Sequence, residues 1–497
     1  VTRAHRLRGP LAASLLACLL LVAACGGDDG SGDSSDGSVP EGASAEVDAS
    51  ECPLDALESA DGPVEITLWH AFITRTQEAI EDLAAEYNAS QDQVVVNVES
   101  QGSGYQEIQR KFNQSIESGE LPQIAALEDN QTQFLADSGV IVPADACLAA
   151  GGEEPDWLPA VRSNYTIEGV LWPSAFSVAT PVLYYNRAHF EAAGLDPDDP
   201  PQTLDELRDA AQAIKDAGVG AVEAPFAQWL EPVQIESWLS GVGQDVVNEG
   251  NGRDGLATEA TFDSDASVEL LTWMQDMYED GLMAPSADTD GQIDHLLAMA
   301  SDQASFTIES SVAATSIEAF LRGELDTSQL TEDQRVIASD DLDLTLDIGA
   351  APFPGLEEPG QAQVAGNGLY ITNTGSPEQI AAAWDFLEFM NGTPAQVVND
   401  LVGSWLPSVD AVTQDPELAD VWETTLSGQW LALAYDQVLD TNPDHPGPSI
   451  GPGADFRQIL RSEIDRLLFE DASPEDVSAA IQEQLQEALE VYEEQNF

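Results

Sequence analysis

Eight aromatic residues stand near the ends of predicted strands or in loops: Trp69, Tyr105, Trp172, Phe226, Trp229, Trp238, Tyr370 and Trp405. A flat ring beside a few polar groups suits a sugar or polyol, whose C–H face packs on the ring while its hydroxyls take hydrogen bonds. Taken singly, each ring is more at home in a core, and Trp238, within Ile235-Glu-Ser-Trp-Leu239, reads as core. Bond-making chemistry leaves no comparable trace. The chain has no Gly-x-Ser-x-Gly elbow, His-Glu-x-x-His helix, phosphate-binding Walker loop or Gly-x-Gly-x-x-Gly turn. His70, His189, His295 and His445 are far apart, although a Ser-His-Asp site can still assemble in space. No cysteine pair has metal-ligand spacing. Asp288-Thr-Asp290-Gly291 opens like a calcium loop but lacks the other ligands and the closing Glu, so it reads as a solvated turn. The expectation is a binder, with no catalytic residue, cofactor or metal.

Charge narrows the class further. The 497 residues hold 90 Asp+Glu against 16 Lys+Arg, and Lys111 and Lys215 are the only lysines. Such a surface excludes broad contact with nucleic acid, or with anionic lipid through a basic face. Life in high salt and a lysine-poor coding bias with an acidic surface both fit. At about 150 residues per domain, the length implies two to four domains.

The N-terminus reads as an export signal. Arg3, Arg6 and Arg8 precede the apolar run Leu11–Val22, which is too short to span a bilayer, and Leu21-Val22-Ala23-Ala24-Cys25 closes it. The small-small-Cys ending resembles the bacterial lipobox. That implies a signal peptide over 1–24, lipid on the Cys25 sulfur and attachment to the cell membrane on its outer side. Val1 fits an alternative start codon. Residues 25–61 are expected to form the lipidated cysteine and a disordered acidic tether, poor in large apolar residues over 26–50. Cys52 and Cys147 remain, and in an exported chain they are expected to pair as a disulfide.

From residue 62 onward the pattern is α/β. Strands are predicted at 64–69, 94–98 and 124–127, alternating with helices at 77–88, 105–118 and 129–137. Thr203-Leu-Asp-Glu206 reads as a capping box opening a helix to Ala217, and Ser376-Pro-Glu-Gln379 and Thr393-Pro-Ala-Gln396 read as further helix starts. Other helices are predicted at 229–240, 265–280, 288–300, 312–322, 377–391, 394–401, 454–469 and 474–493. Strands are predicted at 305–308, 346–351 and 364–372, with an acidic surface excursion over 323–343.

Four runs carry a family likeness: Ile66-Thr-Leu-Trp-His-Ala-Phe72, Phe134-Leu-Ala-Asp-Ser-Gly-Val140, Thr180-Pro-Val-Leu-Tyr-Tyr-Asn186 and Phe190-Glu-Ala-Ala-Gly-Leu-Asp-Pro197. The chain resembles the extracellular solute-binding proteins (family 1) of bacterial ABC importers, in particular the branch that binds sn-glycerol 3-phosphate. The resemblance runs from about residue 62 to the C-terminus. It implies a type II periplasmic-binding-protein-like α/β fold, two lobes joined by crossing strands with the ligand cleft between them. The lobes would be 62–178 with 305–365 and 183–303 with 370–497, and the crossings would lie near 176–183, 301–306 and 366–371.

The resemblance also assigns a site. Tyr105 matches a ligand-binding tyrosine, Asp129 a glutamate that accepts glycerol hydroxyls, Ser310 a serine after a returning strand and Gly366 a glycine whose N–H faces phosphate. Arg457 matches an arginine that pairs with phosphate, and Trp229 one of two stacked tryptophans. Trp405 replaces a tyrosine, Ala179 a serine and Phe226 the other tryptophan; with His70, Ala179 and Phe226 are secondary candidates. These departures loosely favour a larger or neutral solute. The expected function is capture of glycerol 3-phosphate or glycerophosphodiesters by a monomeric lipoprotein and delivery to an ABC permease with its cytoplasmic ATPase. The alternatives are a binder of neutral sugars or oligosaccharides and an exported lipoprotein hydrolase.

Overall fold

The computed structural model describes residues 47–497, except 103, 287–293, 325–345, 358, 360 and 361. Cys25, the signal peptide, most of the tether, Asp288–Gly291 and most of the acidic excursion lie outside the described residues. Two sheets organise the rest. The first has the order β2-β1-β3-β13-β4, with β7 also on β13; these are β1 (Val64–His70), β2 (Val94–Ser100), β3 (Ile124–Glu128), β4 (Ile141–Val142), β7 (Ser174–Ala179) and β13 (Ala365–Thr372). β1 pairs in parallel with β2 and β3, whereas β13 runs antiparallel to β3, β4 and β7. The second has the order β10-β9-β11-β8-β12, from β8 (Pro181–Asn186), β9 (Phe226–Gln228), β10 (Met283–Pro285), β11 (Phe306–Ser310) and β12 (Ile348–Pro352). A small hairpin, β5 (Thr166–Ile167) with β6 (Val170–Leu171), stands apart.

Local chemistry explains the helix ends. Helix Tyr105–Ser118 buries Ile108 and Phe112 four residues apart and stops at Gly119, whose φ of 73° only glycine adopts freely. Ser376 and Gln379 make a reciprocal capping box at helix Pro377–Asn391. At Thr203 the box is skewed: its hydroxyl caps the Glu206 N–H, while the Glu206 carboxylate reaches the N–H of Gln202 instead. Thr393 lies inside helix Thr393–Gly403 and caps nothing; Gly392 precedes it, and the Gln396 amide turns back to the Asn391 carbonyl. Helices Pro416–Thr424 and Leu426–Asp440 have no counterpart in the sequence reading.

The chain first crosses between sheets at Thr180, where β7 ends and Pro181 opens β8, inside the expected 176–183. The other expected crossings are corrected. Nothing crosses at 301–306, because β10 and β11 share the second sheet. The return passes through 353–364, between β12 and β13, rather than 366–371. The lobe boundaries move with it. β11 and β12, expected in the first lobe, pair with β8, and Phe306, Ile308 and Ala351 are buried in the second core with Leu183 and Tyr185. β13, expected as a crossing with Tyr370–Thr372 in the second lobe, lies wholly in the first sheet, and helices Pro377–Asn391 and Thr393–Gly403, also expected in the second lobe, pack on β1 and on helix Thr74–Ser90. Helices Gly453–Phe469 and Pro474–Asn496 do cover the second core.

Cys52 and Cys147, both fully buried, form the expected disulfide across a sequence separation of 95 residues. It ties the turn at Ala49–Glu51 to helix Ala144–Ala149, and Leu54–Ser59 packs on helix Pro377–Asn391, so the end of the expected disordered tether is instead folded onto the first lobe.

Candidate functional site

β1, β2 and β3 end at one edge of the first sheet, and in open α/β sheets the crevice outside such carboxyl ends is where ligands bind. β3 delivers four buried residues and then two acids, Glu128 and Asp129. The second lobe meets this edge through helix Gly453–Phe469. Gly453 permits the approach, since a Cβ there would lie 2.8 Å from the Asn130 carbonyl oxygen. One turn on, Arg457 forks onto Glu236, Nε to Oε1 at 3.0 Å and Nη2 to Oε2 at 2.9 Å. Its Nη1 lies 3.6 Å from Glu128 Oε1. The two forked side chains are only 14% and 3% exposed. Burial opposes the Arg457 charge, but Glu236, Glu128 and Asp129 outweigh it and hold its proton more tightly than in an ordinary arginine.

Asp129 accepts from the Asn130 N–H at 2.8 Å and from Asn164 Nδ2 at 2.8 Å. Burial pushes its carboxyl up, with Arg457 and the Asn164 bond opposing. Glu128 is raised in the same way, by burial against Arg457. Glu231, two residues beyond Trp229, is pushed up to about 8 by burial, reinforced by Glu309 and Glu128 and opposed by Arg457 and Arg461. Arg253 donates to the Gly447 carbonyl at 2.8 Å, the Asn164 carbonyl at 2.6 Å and Asn164 Oδ1 at 3.3 Å, so it positions the amide that holds Asp129. Its burial among neutral acceptors pulls its pKa down to about 10.

Tyr105 opens its helix at the same edge. Its hydroxyl accepts from Asn367 Nδ2 at 3.4 Å, and desolvation, then Glu128, push its pKa up and disfavour the phenolate. Tyr370 shares a 2.7 Å hydrogen bond with Thr132, while the buried Tyr165 hydroxyl has no protein partner. The cluster thus sets four carboxylates, Glu128, Asp129, Glu231 and Glu236, against three guanidinium groups, Arg253, Arg457 and Arg461. Such a lining offers fixed donors and acceptors to a hydroxyl-rich solute.

The structure brings Tyr105, Asp129 and Arg457 together electrostatically. Trp229 is half-buried just after β9, and Ser310 ends β11, where its hydroxyl caps Val312 N–H at 3.3 Å. Gly366 has φ 150°, and a Cβ there would run into the Ser177 carbonyl, so β13 needs glycine to lie against β7. Three residues group elsewhere. His70 and Trp405 flank Phe72, with ring centroids at 5.6 and 6.1 Å, and Ala179 is buried in the same core. His70 Nδ1 accepts from the Phe72 N–H at 3.1 Å, which puts its proton on Nε2; burial lowers its pKa and keeps it neutral. That Nε2 and Trp405 Nε1 are buried without a protein partner. Phe226 is fully buried in the second core, 5.6 Å from Phe306, and lines no cleft. Trp238 is core as well.

Sequence reasoning missed Glu128, Asn164, Tyr165, Glu231, Glu236, Arg253 and Asn367. Two carried a signal: Glu128 precedes Asp129 at a strand end, and Glu231 follows Trp229. A Ser-His-Asp grouping does exist, His189 bonding Ser305 at 2.9 Å and Asp302 at 2.6 Å. Ser305 is 0% exposed and presents no face to a substrate. Among the described residues no group of three or more His, Cys, Asp or Glu could hold a metal, and no helix is long and apolar enough to cross a membrane.

A family model described as bacterial extracellular solute-binding protein matches residues 82–425. The sn-glycerol-3-phosphate-binding periplasmic protein of Brucella abortus is 24% identical over 414 residues, 81% of this chain and 88% of that protein. Its counterpart in Rhizobium meliloti is 29% identical over 227 residues, 45% of this chain and about half of that protein's length (52%). Two solved structures share the two-lobed fold at a TM-score of 0.67. The cyclic α-maltosyl-1,6-maltose binding protein of Arthrobacter globiformis is 22% identical over 86% of this chain and 100% of that one. UgpB of Mycobacterium tuberculosis, in complex with glycerophosphocholine, is 19% identical over 87% of this chain and 99% of that one.

Proposed function

This chain belongs to the bacterial extracellular solute-binding proteins of ABC importers, and from that premise we propose that it captures a glycerol phosphate or glycerophosphodiester between its lobes and delivers it to the permease. One observation carries the reading. Arg457, from the second lobe, is oriented by Glu236 and stands 3.6 Å from Glu128 at the first lobe's strand end. A phosphate takes the remaining Arg457 donors, whose planar fork suits it. Glycerol hydroxyls reach Asp129 and Tyr105, and Trp229 covers the carbon face. Ser310 and Gly366 complete the lining, while His70 and Trp405 form the separate aromatic cluster around Phe72. Solute touching both lobes stabilises the closed state and shifts the population toward it. Lipid on Cys25 and the acidic tether hold the monomer at the outer face of the membrane. The names of the curated relatives support the glycerol phosphate class.

A neutral sugar or oligosaccharide is the second reading. It is favoured because Arg457 is already paired with carboxylate, and because His70 Nε2 and Trp405 Nε1 are donors without partners. Calorimetric titration of the purified chain with glycerol 3-phosphate, glycerophosphocholine and maltotriose, at moderate and high salt, separates the two. Micromolar binding of a phosphate that disappears in Arg457→Ala supports the first reading. Heat with maltotriose alone supports the second.

A further inference from the structure

We propose that Glu236 sets the charge of the solute this cleft accepts, admitting glycerol-based solutes with one negative charge or none and disfavouring phosphomonoester dianions. The inference rests on the glycerol phosphate reading above and deepens it.

Arginine has five N–H donors in a fixed plane. Glu236 takes the Nε edge and one Nη2 donor with both carboxylate oxygens. The Nη1 edge is left, and Glu128 stands 3.6 Å from it. A phosphate reaching Arg457 therefore meets a cation whose charge is already shared by a carboxylate 3% exposed, with a second carboxylate alongside. Near neutral pH a phosphomonoester carries a charge of about −1.5 to −2, whereas a diester carries −1. Because Arg457 and Glu236 are largely buried, the additional negative charge is weakly screened there. Arg253 gives little relief, because its donors go to the Gly447 and Asn164 carbonyls and to the Asn164 side chain. Glu236 differs from the other carboxylates in geometry: it alone grips Arg457 through both oxygens, so its charge cannot turn away when an anion arrives. It is a positioning residue for Arg457 and, through that, a selector of solute charge.

The test is the ratio of affinities for a monoester and a diester. Glycerol 3-phosphate, glycerophosphocholine and maltotriose are titrated at pH 8 into the purified native chain, Glu236→Gln and Glu128→Gln, each checked for a cooperative melt. The native chain is expected to prefer the diester by at least about tenfold, and Glu236→Gln to shift the ratio toward the monoester by about tenfold or more. The diester's own affinity changes by less than about threefold in that variant, whereas a general loosening of the cleft weakens both phosphates together. Glu128→Gln, outside the fork and more exposed, moves the ratio the same way by about threefold. It also decides the matter if Glu236→Gln fails to fold, a shift below about twofold counting against the proposal. A native preference for the monoester, or an unchanged ratio in a folded Glu236→Gln, overturns the assignment and leaves the binding reading intact. Native protein that binds neither phosphate overturns that reading and this inference with it.

Discussion

β1 and β3 end side by side in one sheet and treat their polar groups in opposite ways. At the end of β3, Glu128 and Asp129 are enclosed and partnered, by Arg457, Asn164 and the Asn130 N–H. At the end of β1, His70 and Trp405 are more deeply buried than Glu128, yet each keeps a ring N–H without a protein partner. A buried charge without a partner is far costlier than a buried neutral donor without one. The charged end therefore has to be built complete, and a solute there competes with existing partners. The aromatic end can leave donors for a solute to fill.

Arg457→Ala tests the charged end most severely. It leaves Glu236 buried without a counter-charge, so stability should fall by about 3–5 kcal/mol and solute binding should disappear. Thermal denaturation and calorimetry read both; an unchanged melting temperature breaks the contrast. Asp400 tests it from the other side. It lies five residues before Trp405, buried, with its Oδ1 accepting from the Trp422 indole at 3.1 Å and its Oδ2 unpartnered. With no cation to pair with, burial pushes its carboxyl up to about 8. Between the ordinary carboxylate value near 4 and about 8, the folded chain holds a proton that the unfolded chain has lost. Its contribution to stability therefore declines as pH rises through that window and levels off above it. Asp400→Asn should raise the melting temperature at pH 8.5 by about 2–4 °C and change little at pH 4.5.

Trp405→Phe sharpens the contrast. It keeps an aromatic ring but deletes the rest of the indole and an N–H that bonds nothing in the protein, so stability should fall by about 1–2 kcal/mol through lost packing. If the aromatic end serves the solute, affinity falls about five- to tenfold in the same variant. Phe226→Leu should have the smallest effect on binding. Stability drops by about 1 kcal/mol while affinity stays level, because its ring faces Phe306 and Trp273 in the second core. A loss of affinity there would return Phe226 to the cleft.

Much of this was legible in the sequence, for identifiable reasons. The opening β-α-β-α-β run was readable because each element pairs or packs with a near neighbour, and Gly119 and Ser376 mark helix ends by local hydrogen bonding. The allotment of 305–365 was not readable. β11 and β12 choose β8 as partner by hydrogen bonds across more than 120 residues of chain, which local pattern does not record. The site divides in the same way. Tyr105, Asp129 and Arg457 match a known pattern in short runs. Glu236 gains its role only when helix Gly453–Phe469 comes against the end of β3, and Arg253 only when it meets Asn164 and Gly447 across the chain. Phe226 was misplaced because an aromatic at a strand start looks the same whether it faces a cleft or a core.

The return of the last two helices to the second core has a consequence for biogenesis. The second sheet is drawn from 181–352, but its core is closed by Phe456, Leu460, Ile464, Ile481 and Leu485. A chain threaded out of the cell N-terminus first delivers the first lobe's disulfide and parallel strands early. Meanwhile the faces of helices Pro232–Gly241 and Asp265–Glu279 that pack on the last two helices stay uncovered until nearly the whole polypeptide has emerged. An export chaperone or holding factor therefore has most to guard in that interval, and a late stop codon removing the final helix damages the lobe whose strands were made long before.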